Sequence, residues 1–95
     1  MPSTFIDRHR EQIQEIASRH GARNVRVFGS IARSDEGQGS DLDLLISLEE
    51  GRSLLDLVEL KQDLEAALGR PVDVVTERSL SPYLRNQVLD EAVAL

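Results

Sequence analysis

Two rhythms of apolar positions run along this chain. Ile6, Ile13, Ile16, Ala17 and His20 recur at helical spacing, and Thr4 with Asp7 three residues on resembles a helix-start box. They predict a first helix from Phe5 to His20, ended by Gly21 in a left-handed position. The period then shortens to two. Val25 to Phe28 reads as a strand, with Val25 and Val27 on one face and Arg26 and Phe28 on the other. Ser30 to Ser34 is expected to form a turn or short helix, and Asp35 to Gly39 a loop. Leu42, Leu44, Ile46 and Leu48 alternate with Asp41, Asp43, Leu45 and Ser47, which predicts a second strand.

Helical spacing returns after the turn at Glu49 to Arg52. Ser53 and Asp56 look like a capping box, and Leu54, Leu57, Val58, Lys61, Leu64 and Leu68 mark one side of a second helix. Lys61 is expected to snorkel from that side. Gly69 and Pro71 stop the helix, and Val72 to Thr76 forms a third, β-branched strand. Ser81 before Pro82 opens a last helix reaching about Glu91, on which Tyr83 packs its ring. The closing Ala92 to Leu95 carries no clear state. The whole, residues 1–95, is expected to be a single domain of mixed α/β (α+β) class.

Strand parity gives the chemistry. If Val25 and Val27, Leu42 to Ile46 at alternate positions, and Val72 and Val74 all face the helices, the opposite face collects Asp41, Asp43 and Asp73. Two carboxylates about 5 Å apart repel by roughly 3 kcal/mol at an effective dielectric of 20. A divalent cation turns that repulsion into attraction, and Mg²⁺ takes such oxygen ligands. Asp is disfavoured inside strands, so a ligand role is preferred over a solvated strand edge for Asp41 and Asp43. Asp73 is read as a third ligand, a general base or a structural residue. Gly29-Ser30 at a strand end allows close backbone approach to a phosphate or makes a tight turn. Arg33 either neutralises a triphosphate or is an exposed cation. His9 and His20 lack metal-ligand spacing.

Composition narrows the partners. Seventeen acidic against eleven basic residues leave a net charge of −6, which argues against direct nucleic-acid binding. Aromatics at 3% leave little surface for stacking bases. Cysteine is absent, which excludes disulfides and thiolate metal sites. Nothing resembles a membrane span or a signal core, so a cytoplasmic protein is expected.

Gly29-Ser30-Ile31-Ala32-Arg33, followed by Ser40-Asp41-Leu42-Asp43-Leu44-Leu45-Ile46, resembles the signature of minimal nucleotidyltransferase (MNT) domains of the DNA polymerase β-like superfamily. Ser34 departs from it, since relatives often have glycine there. The resemblance implies a small mixed sheet with helices on one face and the carboxylate site on the other. It implies Mg²⁺, one or two ions, held by Asp41, Asp43 and Asp73. It also implies ATP or another nucleoside triphosphate contacted by Gly29, Ser30, Arg33 and Ser40. Similar stand-alone proteins are commonly antitoxins encoded beside HEPN-type ribonuclease toxins, and some of them transfer AMP to tyrosines of that toxin. A chain this short has no room for an acceptor-binding domain, so the acceptor surface is expected from a partner or a second copy. The alternatives are an antitoxin that acts by binding alone, and nucleotidyl transfer to a small molecule. The half-apolar set Phe28, Leu45 and Val75 on the carboxylate face suggests an interface there.

Overall fold

The computed structural model describes residues 4–29 and 41–95. Helix α1 (Thr4–Arg19) leads into strand β1 (Ala22–Phe28), and strand β2 (Leu42–Leu48) precedes helix α2 (Leu54–Leu68). Strand β3 (Val72–Thr76), a 3-10 turn (Glu77–Ser79), helix α3 (Pro82–Glu91) and strand β4 (Val93–Ala94) complete the order. The four strands form one sheet in the order β3-β2-β1-β4. β1 runs antiparallel to both β2 and β4, while β2 and β3 are parallel. Among the described residues no helix is long and apolar enough to cross a membrane.

Local chemistry explains most boundaries. Ser53 accepts from Leu55 N–H and Asp56 accepts from Ser53 N–H, the reciprocal box expected at the start of α2. Gly69 closes that helix at φ 68°, with its N–H donating to Glu65 O at 2.9 Å. Ser81 caps α3 and Pro82 occupies its first turn. β1 is longer than the expected Val25 to Phe28. It starts at Ala22 and absorbs a bulge between Arg23 and Arg26, where Asn24 takes φ 53°. Asn tolerates that conformation, and the extra residue restores the parity that sends Val27 inward.

The core lies between one sheet face and helices α1 and α2. Ile6, Ile13, Ile16 and Ala17 of α1 meet Val27, Leu42, Leu44, Ile46, Val72 and Val74 of the strands, with Leu60 and Leu64 of α2. Two expectations are corrected here. The buried stripe of α2 is Leu57, Leu60, Leu64 and Leu68, whereas Leu54 and Val58 are exposed. Lys61 therefore sits beside the stripe, where its Nζ pairs with Glu65 Oε2 at 2.9 Å. Tyr83 does not pack its ring but projects into solvent. The closing residues, unassigned from sequence, form β4, which pairs Val93 with Val27 and Ala94 with Arg26.

β3 and β4 lie at opposite edges of the sheet, so the chain between them must cross the sheet. Ion pairs show where. Arg26 faces away from the core, and its Nη1 donates to Glu77 Oε1 at 2.8 Å; Arg85 Nη2 of α3 lies 3.6 Å from Glu77 Oε2. The 3-10 turn and α3 thus share the second face with the carboxylates, and only α1 and α2 form the helical layer on the first. Leu45, directly opposite Arg26, is 0% exposed, and Phe28 and Val75 are half-buried. The apolar interface expected at Phe28, Leu45 and Val75 is therefore closed at its centre.

Candidate active site

Register decides which side chains meet. In the parallel pair of β2 and β3, Asp43 lies opposite Asp73, and Leu42 lies opposite Val72. Neighbouring strands are about 4.8 Å apart, and partners in register point to the same side. Leu42 and Val72 are both buried in the core, so Asp43 and Asp73 share the other face. A bond from Leu42 N–H to Pro71 O, 3.0 Å long, fixes the strand starts together. Asp41 precedes β2 by one residue and is exposed at the strand mouth, with the same parity as Asp43.

The other side of the site comes from β1. Phe28 is opposite Asp43, so the next residue, Gly29, arrives beside the carboxylate. Gly29 has φ 76°, a conformation that favours glycine. A Cβ there would collide with Asp43 Oδ2. Glycine is thus favoured twice, by its backbone angle and by the carboxylate lying against it. Ser30, Arg33 and Ser40, the other expected nucleotide contacts, lie outside the described residues, as do the expected turn at Ser30 to Ser34 and the loop after it.

The donor set is all oxygen, which suits a hard cation such as Mg²⁺ and excludes a soft-metal centre. Among the described residues, which include Asp41, Asp43 and Asp73, no group of three acidic, histidine or cysteine side chains is placed to hold a metal, so the expected three-carboxylate ligand set is not brought together as one. Mg²⁺ in phosphoryl-transfer sites is bound through one or two carboxylates plus substrate phosphates rather than by a closed protein cage. The residues fit a metal that arrives with its nucleotide.

Sequence reasoning missed the charged network behind the site. Arg26, 13% exposed at its side chain, donates from Nη1 to Glu77 and from Nε to the Asn24 carbonyl at 3.1 Å. Its Nη2 is buried with no hydrogen-bond partner among the described residues. The Arg26 hydrogen bond to Glu77 holds that carboxyl below the usual glutamate range, with added attraction from Arg85. The signal was present in the parity of Arg26, which places it on the carboxylate face, but its partner follows a crossover that parity does not predict. A cleft of about 680 Å³ opens near the opposite ends of β2 and β3, lined by Ser47, Glu49, Arg52, Thr76 and Arg78 among others. It includes none of the three carboxylates.

The family model for the nucleotidyltransferase domain matches residues 6–95. The chain belongs to the nucleotidyltransferase domain family. Protein adenylyltransferase MntA of Thermococcus cleftensis is 39% identical over 90 residues, covering 95% of this chain and 88% of that protein. A solved structure described as a candidate minimal nucleotidyltransferase is 52% identical with a TM-score of 0.87, over 100% of this chain and 97% of that one. A crystal structure of a toxin–antitoxin with AMP-PNP aligns at 26% identity and a TM-score of 0.77, over 88% of this chain and 69% of that one. The expected minimal nucleotidyltransferase fold and enzyme class are thus established for this nucleotidyltransferase.

Proposed function

We propose that this nucleotidyltransferase transfers AMP from ATP to a hydroxyl of a partner protein, a HEPN-type ribonuclease toxin, and acts as its antitoxin in the cytoplasm. The observation that carries the reading is the juxtaposition of Asp43 and Asp73 beside a left-handed Gly29 against which the Asp43 carboxylate lies. The names of the relatives, a protein adenylyltransferase and a toxin–antitoxin with AMP-PNP, support the nucleotide and the kind of partner.

Asp41 and Asp43 would hold Mg²⁺ together with the phosphates of the nucleotide. Bound there, the ion would supply charge neutralisation for the triphosphate. The backbone at Gly29 approaches the phosphates closely because no Cβ intervenes, and Ser30, Arg33 and Ser40 belong to the same nucleotide-binding stretch. Asp73, exposed at the mouth of β3, is positioned to take the proton of the acceptor hydroxyl as that oxygen attacks the α-phosphorus. Pyrophosphate leaves in line. Most of the rate enhancement comes from positioning and electrostatics rather than covalent catalysis.

The test uses ATP labelled at the α-phosphate, Mg²⁺ and a HEPN protein, taken from the neighbouring reading frame where one is encoded there. The label is expected on the HEPN protein. The Asp41→Asn, Asp43→Asn double variant should lose several kcal/mol of transition-state stabilisation, about hundredfold or more in rate. Transfer by the double variant at the wild-type rate, or none by the wild type, sinks the enzyme reading. Full protection of cells by an inactive double variant would favour an antitoxin that acts by binding alone.

A further inference from the structure

Tyr83 is the only tyrosine of the chain, and it is 93% exposed. Its position is fixed although its ring touches little. Ser81 accepts from Leu84 N–H, Pro82 starts the helix, and Ala92 N–H closes the other end onto Val88 O. The hydroxyls nearest in sequence are engaged. Ser81 caps its helix, and Thr76 and Ser79 cap one another across the 3-10 turn. No described residue bonds the Tyr83 phenol. A phenol also gives up its proton far more readily than an aliphatic hydroxyl, so it is the better oxygen nucleophile near neutral pH.

We propose that Tyr83 is itself an adenylylation site, modified by the carboxylate site of a second copy of the chain. This rests on the reading of the chain as a protein adenylyltransferase, and extends it to a second acceptor. Helix geometry favours transfer between copies. Arg85 points back to Glu77 of the 3-10 turn, which itself pairs with Arg26 of the sheet, and Tyr83, two residues earlier, lies about 200° around the helix, on the side turned away from that contact. In the reaction, Tyr83 Oη attacks the α-phosphorus of ATP bound to the other copy. The Oη–P bond forms as the bond from that phosphorus to the bridging oxygen of the β-phosphate breaks. Pyrophosphate leaves with the electron pair, and the phenolic proton passes to a site carboxylate and then to solvent. The product is a phosphodiester joining tyrosine to AMP. No oxidant or second cofactor is needed.

The decisive experiment mixes two defective full-length chains. One carries Asp41→Asn and Asp43→Asn but keeps Tyr83; the other carries Tyr83→Phe but keeps the carboxylates. Each is incubated with Mg²⁺ and ATP labelled at the α-phosphate, alone and together, and the product is located by tandem mass spectrometry. Neither chain should be labelled alone, and the mixture should add one AMP to Tyr83 of the Asn variant. The chain has no tryptophan and a single tyrosine, so an independent optical readout exists. The phenolate absorbance that grows on alkaline titration comes from Tyr83 alone, and adenylylation should abolish it. If the mixture stays unlabelled while the Tyr83→Phe chain still adenylylates the HEPN protein, this proposal is overturned and the enzyme reading stands. Label at any other residue also overturns it. If the wild type transfers AMP to nothing at all, both readings fall together.

Discussion

The two faces of the sheet are written by the same three strands and obey opposite rules. On the first, Val27, Leu42, Leu44, Ile46, Val72 and Val74 are all buried under α1 and α2. On the second, Asp43 and Asp73 stand side by side, Arg26 pairs with Glu77, and Leu45 alone is sealed. Alternation forces the pairing of these roles. Every residue that fills the core fixes the side of its neighbour, and a one-residue slip in β2 would bury Asp43 and expose Leu44. The hydrophobic face therefore acts as the register that holds the carboxylates in place.

Adjacent residues test this most sharply. Asp43→Asn should abolish transfer, by about hundredfold or more, and leave thermal stability near wild type, since it removes charge but not volume. Leu44→Ala should do the reverse. Loss of a fully buried leucine costs about 2–5 kcal/mol, seen as a lower denaturation midpoint, while the folded fraction keeps its activity. If both variants lose stability equally, the division of labour between the faces is wrong. Gly29→Ala is expected to be smaller on stability, about 1–2 kcal/mol for the left-handed backbone. Its effect on transfer should be larger than that, because the new Cβ pushes the Asp43 carboxylate from its seat. Kinetics and thermal denaturation on the same preparation would separate the two.

How much could be read from sequence differs between the faces for the same reason. Strands β2 and β3, the capping box at Ser53 and the stop at Gly69 depend on local pattern, and they fall where alternation and cap chemistry put them. The shared face of Asp43 and Asp73 followed from parity once the strands were neighbours. What failed needed long-range information. β4 is two residues whose state depends on pairing with β1, seventy residues earlier in the chain by order of magnitude. The crossover that ties Glu77 to Arg26 is set by topology, not by pattern. Tyr83 looked like a packing residue because an aromatic ring in a short helix usually finds a neighbour, and here none is within the layer.

Acid should distinguish the faces by the carboxylates they tie down. Glu77 on the second face is held below its usual range first by its hydrogen bond from Arg26. On the first-face helix α2, Asp56 is lowered chiefly by the Ser53 N–H, and Glu65 by Lys61 and then the Val72 N–H. A carboxylate lowered in the folded state binds fewer protons there than in the unfolded chain. Its stabilisation is therefore complete above the ordinary carboxylate range and disappears as pH falls through the lowered value. Melting temperature should fall between about pH 6 and about pH 3. Glu77→Gln should flatten part of that slope and leave the share of Asp56 and Glu65; an unchanged slope would show that the Arg26 pair does not hold the crossover down.

The smallest expected effect lies on α2 and tests where its stripe runs. Leu54 and Leu60 look equivalent from composition, and the expected stripe chose Leu54. In the structure Leu54 is 76% exposed and Leu60 is 0% exposed. The angle between the two choices is a consequence of 3.6 residues per turn. Anchoring the pattern at Leu57 and Leu64 admits Leu60 and Leu68 on one face, whereas anchoring it at Leu54 and Val58 drifts towards Lys61. Lys61, paired with Glu65 at the edge, marks the limit of the apolar side. Leu54→Ala should therefore change stability by less than about 0.5 kcal/mol. Leu60→Ala should cost about 2–5 kcal/mol, because it empties a site closed by α1 and the sheet. Paired urea titrations with equal slopes would measure the difference, and equal losses would move the stripe back to Leu54.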